Sequence, residues 1–177
     1  HNEDTIYGDE INGTGIGNDT IYGDDPDVTW IDPVTHQAIP SNDTIYAGMG
    51  NDVVYGGVGN DIIHGGAGVD FLYGEAGDDE IHGGADGDYL FGQLGVDKIY
   101  GDAGKDALYG GDGNDELYGG TDGDWLFGEA GNDLLYGEAG YDWLQGGSGF
   151  DIFNGGLDGA YYYDYDYFFK GWLKFGL

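Results

Sequence analysis

The sequence predicts an all-β fold, a right-handed parallel β-roll (β-solenoid) of about fifteen nonapeptide units with two short-stranded parallel sheets and an aromatic C-terminal cap. Three observations predict it. Asp recurs every nine residues without a slip, at Asp43, Asp52, Asp61, Asp70, Asp79, Asp88, Asp97, Asp106, Asp115, Asp124, Asp133, Asp142 and Asp151. Two positions after each stands a large apolar residue, from Ile45, Val54 and Ile63 to Leu144 and Phe153. Gly stands five positions before the Asp in every unit from Gly56 to Gly146, and two before it everywhere but at Ser41, Asp86 and Asp122. The unit is G-x-x-G-x-D-x-U-x, often with a second Gly, where U is aliphatic or aromatic.

Each part of the unit has a physical reason. The Gly positions allow positive φ and close backbone approach, as a tight six-residue turn requires. The last three residues, x-U-x, point outward, inward and outward, the period of a short strand. Two units then close one coil, and coils stack with strands about 4.8 Å apart, so the U residues of two parallel sheets face each other as a thin core. Residues 42–156 are expected to form the regular roll. Residues 1–41 carry the same unit with insertions. Asp4-Thr5-Ile6-Tyr7-Gly8 and Asp19-Thr20-Ile21-Tyr22-Gly23 match the strand portion, and the extra residues fall in the turns. The second insertion, 24–40, holds all three Pro and reads as a surface excursion. Residues 157–177, rich in Tyr, Phe and Trp, read as a cap or tail.

Composition narrows the function. A net charge of −31 with only four Lys and Arg excludes a nucleic-acid backbone as partner, and it disfavours an anionic membrane surface. No apolar run reaches the length of a membrane span, so no membrane insertion is expected. The absence of Cys removes disulfides, thiolate metal sites and thiol nucleophiles. His1 opens the chain in mid-pattern, which reads as a fragment or a processed product, with no N-terminal signal peptide. High charge and 40 Gly would by themselves suggest disorder, but 16% aromatic residues argue against it.

Stacking sets each Asp beside the one eighteen residues on, in two ladders of like charge. At about 5 Å such neighbours repel by roughly 1 kcal/mol in bulk water and several-fold more at lower dielectric. A hard, oxygen-seeking cation between coils reverses the sign. Calcium accepts six to eight oxygens at about 2.3–2.6 Å, whereas magnesium demands a smaller octahedral shell, so a Gly-rich carbonyl cage favours calcium.

Units such as Gly56-Gly57-Val58-Gly59-Asn60-Asp61-Ile62-Ile63-His64 and Gly65-Gly66-Ala67-Gly68-Val69-Asp70-Phe71-Leu72-Tyr73 resemble the RTX (hemolysin-type) calcium-binding nonapeptide repeat. The resemblance is strict over about 42–156 and loose over 1–41. It implies that each ion is held by the carboxylates of two same-side turns and by main-chain carbonyls, such as those of Gly57, Gly59, Gly66 and Gly68. Carried over, the ligand pairs run from Asp43 with Asp61 and Asp52 with Asp70 up to Asp133 with Asp151, with Asp19 as a further ligand in the irregular part. Multiple Ca2+ ions are implied, up to about eleven, which would cancel most of the excess negative charge. The resemblance also implies export through a type I channel and a secreted, extracellular setting at a bacterial cell surface. The aromatic tail does not look like a familiar export signal.

Departures from the repeat are of two kinds. Asp86-Gly87 and Asp122-Gly123 exchange the usual order two coils apart, which reads as extra carboxylate ligands, as spoiled sites or, most simply, as drift carried by duplication. Glu75, Gln93, Asp102, Glu129 and Glu138 replace the second Gly and read as solvated turn residues. The two outward faces are unequal. One is mixed, with His64 and His82 read as ordinary surface residues. The other gathers Tyr55, Phe71, Tyr73, Tyr89, Phe91, Tyr109, Trp125, Phe127 and Trp143, a patch about 30 Å long at the 4.8 Å strand spacing and of a size monomers seldom leave bare. Good cross-strand stacking accounts for the Tyr column on both faces, but less well for Phe71, Tyr89, Trp125 and Trp143.

No catalytic arrangement is present: no H-E-x-x-H, no G-x-S-x-G, no phosphate loop. A ladder of carboxylates is a cation array rather than the single pair of a glycosidase. The expected function is therefore that of a non-enzymatic calcium-binding structural module of a secreted or cell-surface protein, whose aromatic face packs on a second copy or on other domains of a larger protein. The alternatives are a polysaccharide-binding module, or the calcium-triggered folding and secretion domain of a toxin or protease.

Overall fold

The computed structural model describes residues 5–7, 20–22, 42–156 and 160–163. These form two parallel sheets of eight strands, and no helix occurs among them. The first sheet stacks β1 (Thr5–Tyr7), β3 (Thr44–Met49), β5 (Ile62–Ala67), β7 (Glu80–Ala85), β9 (Lys98–Ala103), β11 (Glu116–Thr121), β13 (Leu134–Ala139) and β15 (Ile152–Asn154) in that order. The second stacks β2 (Thr20–Tyr22), β4 (Val53–Val58), β6 (Phe71–Ala76), β8 (Tyr89–Leu94), β10 (Ala107–Asp112), β12 (Trp125–Ala130), β14 (Asp142–Ser148) and β16 (Ala160–Tyr163). Odd strands and even strands alternate along the chain, so every eighteen residues complete one coil of the predicted parallel β-solenoid.

Register follows the repeat. Ile63 lies opposite Ile45 and Ile81, and Leu108 opposite Leu90 and Leu126. The U residues Ile45, Val54, Ile63, Leu72, Ile81, Leu90, Ile99, Leu108, Leu117, Leu126, Leu135 and Leu144 are all fully buried and make one continuous core between the sheets, with Phe153 packed against its end. Burying each such side chain contributes about 1.5–3 kcal/mol, and a slab one side chain thick must draw on nearly every unit.

The strands are longer than the three residues expected. Pairing resumes after the corner Gly, as Gly48 with Gly66 and Met49 with Ala67, so most strands run six residues and the turn shrinks to about three. The corner Gly is the one the pairing skips, and there the chain bends while staying in contact with the next coil. Gly68 shows why Gly prevails in the turn: at its φ of +124 a Cβ would collide with the carbonyl of Gly50 in the coil before, and the Asp residues at the same position, Asp86 and Asp122, take φ of +78 and +79 instead.

The irregular units keep register. Ile6 pairs with Ile45 and Ile21 with Val54, so the insertions leave the stack of strands unbroken; the excursion 24–40 itself lies outside the described residues. Of the expected cap, Ala160–Tyr163 adds a parallel strand beside β14, with Tyr161 opposite Trp143. Residues 164–177 lie outside the described residues.

Candidate metal centre

Each Asp from Asp43 to Asp151 stands where the turn re-enters the sheet, as the last residue before a strand or, for Asp142, the first residue of β14. The side chains from Asp43 to Asp142 turn inward and are almost fully buried, none more than 2% exposed. A buried carboxylate needs partners. Oδ1 finds one in the coil before: the N–H of Asp70 donates to Asp88 Oδ1 at 2.8 Å, that of Asp88 to Asp106 Oδ1 at 2.7 Å, and that of Asp124 to Asp142 Oδ1 at 3.1 Å. The same bond joins every expected pair from Asp43 with Asp61 to Asp133 with Asp151. Asp19 lies outside the described residues.

Oδ2 is different. In Asp70, Asp79, Asp88, Asp97, Asp106, Asp115, Asp124 and Asp133 it is buried and accepts no hydrogen bond among the described residues. Its neighbours are the corner Gly of its own unit and a carbonyl of the next coil. A Cβ built on Gly65 would lie 2.6 Å from both Asp70 Oδ2 and the Gly83 carbonyl oxygen. One on Gly83 would lie 2.6 Å from Asp88 Oδ2 and 2.8 Å from the Gly101 oxygen. Acceptor therefore faces acceptor across a space that only a missing side chain keeps open. A proton or a cation placed there would satisfy both acceptors.

The carboxyls respond accordingly. Burial, reinforced by neighbouring carboxylates, pushes Asp88 and Asp124 up to about 8 and Asp79 and Asp133 up to about 7, against the hydrogen bonds from the preceding coil. Asp70, Asp106 and Asp115 rise to about 6, also through burial first. The ladder of like charge expected from the sequence is thus relieved in part by proton uptake.

No three carboxylate or imidazole side chains converge on one point among the described residues. Two Asp carboxylates and main-chain carbonyls are what the site offers, an all-oxygen, anionic, flexible donor set. That set fits calcium and lacks the nitrogen or sulfur donors a softer metal prefers. Calcium, when bound, supplies the positive charge and the oxygen coordination that the facing acceptors lack.

A second ladder escaped the sequence reading. The residue before the ligand Asp reaches the opposite way along the roll: Asn42 Oδ1 accepts from the Asn60 N–H at 2.9 Å, Asn60 Oδ1 from Asp78 at 3.1 Å and Asn132 Oδ1 from Phe150 at 2.9 Å. The Asn-Asp dipeptides at 42–43, 51–52, 60–61, 114–115 and 132–133 were its signal. In the turns that carry Asn42, Asn51, Asn60, Asp78, Asn114 or Asn132, the two residues bond to neighbouring coils in opposite directions along the roll.

The aromatic residues fall where the repeat puts them. On the second sheet Tyr55, Tyr73, Phe91, Tyr109 and Phe127 form one column with ring centroids 4.8–5.0 Å apart. Beside it Phe71 stacks on Tyr89 at 4.7 Å, and Trp125 and Trp143 follow, 48% and 41% exposed. On the first sheet His64 and His82 stack within a column running from Tyr46 to Tyr136. His82 contacts Glu80 at 3.1 Å, and burial followed by the charge of His82 lowers the His64 pKa. Among the described residues no helix is long and apolar enough to cross a membrane.

No curated protein matches the chain. A family model does: the RTX calcium-binding nonapeptide repeat matches residues 14–25 and, in overlapping segments, 40–158. The repeat, the two-sheet roll and the oxygen-lined turns agree with that match, and the chain belongs to the RTX calcium-binding nonapeptide-repeat family.

Proposed function

We propose that this chain is a structural module of a secreted or cell-surface protein, completed by calcium in the turns of its roll. Each ion would take one carboxylate from each of two successive same-side coils, drawn from the row Asp43, Asp52 and the Asp of every later unit to Asp151. Main-chain carbonyls supply the rest, those of Gly83 and Gly101 facing Asp70 and Asp88 and, as the resemblance implies, those of turn residues such as Gly57, Gly59, Gly66 and Gly68. Up to eleven ions would follow from the eleven bonded Asp pairs. The observation that carries the reading is the row of buried Oδ2 atoms from Asp70 to Asp133, each with a carbonyl acceptor close by and no donor among the described residues. Circular dichroism at pH 7.5 tests it: β signal is expected with millimolar calcium and its loss in excess EGTA, and a spectrum indifferent to EGTA would sink the proposal.

The second sheet's outer face serves, on this reading, to pack against protein, in the first instance a second copy of the chain. Its rings support that use over sugar binding. Phe71 and Tyr89 lie 6° from parallel and the neighbouring column 8–11°, so ring faces are occupied by one another and edges point outward. A sugar stacks on a ring face, whereas an apolar protein surface can pack on a row of edges. Sedimentation velocity with calcium is expected to show self-association that Trp125→Ser with Trp143→Ser abolishes. Unchanged sedimentation coefficients would remove the assembly role.

A further inference from the structure

Six asparagines stand among the described residues, and they differ in what holds their side-chain amides. An asparagine loses its amide when the main-chain nitrogen of the next residue attacks Cγ. In five cases, Asn42, Asn51, Asn60, Asn114 and Asn132, the next residue is an Asp of the ladder, whose N–H donates to the Asp Oδ1 eighteen residues on at 2.8–3.0 Å. The asparagine's own Oδ1 is tied as well, accepting a main-chain N–H of the next coil at 2.8–3.1 Å. Nucleophile and electrophile are both held by the neighbouring coil, and two hydrogen bonds must break before they meet.

Asn154 is built differently. It ends β15, and Gly155 follows it. No described strand of the first sheet stands beyond β15, and the Gly155 N–H donates to no acceptor among the described residues. Asn154 Oδ1 accepts from the Gly156 N–H at 3.2 Å, only two residues on, which folds the side chain back over the Gly155 peptide. The oxygen that gathers charge when Cγ is attacked therefore already faces a donor. Gly155 has no Cβ to hinder the approach, and Asn154 is exposed, so ammonia can leave and water can enter.

We propose that Asn154 is a self-modification site, a deamidation point that the roll leaves open while its coil-to-coil bonds protect the five Asn-Asp turns. The Gly155 nitrogen gives its proton to hydroxide and bonds to Asn154 Cγ. The Cγ–Nδ2 bond then breaks, and ammonia leaves with a proton taken from water, which restores the hydroxide. A second water opens the cyclic imide at either carbonyl and leaves Asp or isoaspartate at position 154. Either product adds a negative charge at the end of the first sheet. Isoaspartate also lengthens the main chain by a methylene shortly after Asp151, the last Asp of the bonded row. The folded roll thus carries a clock that marks its final coil.

Sequence alone makes Asn-Gly more reactive than Asn-Asp, because glycine hinders the attack least, so the informative quantity is the slowing at each site on folding. The full 177-residue chain is held at pH 8.5 with millimolar calcium, and in parallel with EGTA and urea, while peptide mapping by mass spectrometry follows each amide and circular dichroism follows the fold. Asn12-Gly13, outside the described residues, maps to a separate peptide. The five Asn-Asp sites are expected to react roughly tenfold or more slowly in the roll than in urea, as two hydrogen bonds at each site require. Asn154 should lose its amide about as fast in the roll as in urea. Asn154→Gln, whose longer side chain closes the ring poorly, should remove the product from the last coil. Slowing of Asn154 as great as that of the five overturns the proposal, as do five unslowed sites in a chain that circular dichroism shows to be folded. A product that persists in the last coil of Asn154→Gln would overturn the assignment to this residue.

Discussion

At Gly65 the repeat leaves room for nothing larger than hydrogen, and the reason is local chemistry more than chain flexibility, since its φ lies outside the left-handed range. A methyl group there would press on Asp70 Oδ2 and the Gly83 carbonyl, each 2.6 Å away, and on Leu72 Cδ1 at 3.2 Å. Gly65→Ala is therefore expected to close one metal cradle while leaving the others open. Calorimetry should count one calcium fewer, with the remaining sites little changed in affinity. A full complement of ions in this variant would mean that the space between the two acceptors is not where the cation sits. The residues at the left-handed turn positions behave otherwise. Glu75, Asp86, Gln93, Asp102, Asp122, Glu129 and Glu138 all carry positive φ of 67–79, so the glycine there is preferred but replaceable wherever the side chain points to solvent.

Among the strands, the contribution of a residue follows its place in the pleat. Leu108 of β10 is fully buried between the sheets, whereas Leu94 at the end of β8 is 54% exposed. Leu108→Ala is expected to cost about 2–5 kcal/mol and Leu94→Ala close to nothing, measured by urea unfolding at saturating calcium; equal effects would contradict a core confined to the U positions. This part of the fold was legible from the sequence because periods of two and nine leave each U residue a single orientation. The direction of Asp43 and its successors was legible too, since stacking at eighteen residues follows from two units per coil. Less legible was how deeply those carboxylates are buried, because the sequence shows an acidic residue in a Gly-rich turn, which ordinarily means solvent. Strand length was misjudged for a related reason: Gly48 and Gly66 read as turn residues, yet with no Cβ to clash they pair across coils. The Asn42, Asn60 and Asn132 bonds were hidden by a position that tolerates Val69, Val96 and Phe150 equally well.

For the whole molecule, the unusual feature is that one row of groups binds either protons or metal, so acidity and calcium must substitute for each other. The carboxyls of Asp79, Asp88, Asp124 and Asp133 titrate at about 7 to 8 in the folded chain against 3.8 ordinarily, burial being the largest cause. A raised folded-state pKa means that the folded chain holds protons the unfolded chain has released. Its stabilising effect is complete below about 3.8 and is lost as pH rises through the range from 6 to 8. The calcium-free roll should accordingly show β structure and a cooperative melt at pH 5 in EGTA, and lose both by pH 8.5, where calcium restores them. Acidification also lessens the general repulsion of a chain of net charge −31, which acts in the same direction. Asp88→Asn with Asp124→Asn separates the two contributions. The amide keeps an oxygen for the N–H of Asp70 or Asp106 and presents its own donor toward the carbonyl ahead, a permanent substitute for the proton. The variant should melt at a higher temperature than the unaltered chain at pH 8.5 in EGTA, show a weaker dependence on pH, and bind fewer calcium ions. A calcium-free melting temperature that rises with pH, or an Asn variant less stable than the parent at pH 8.5, would show that the buried row is held together by something other than protons and metal.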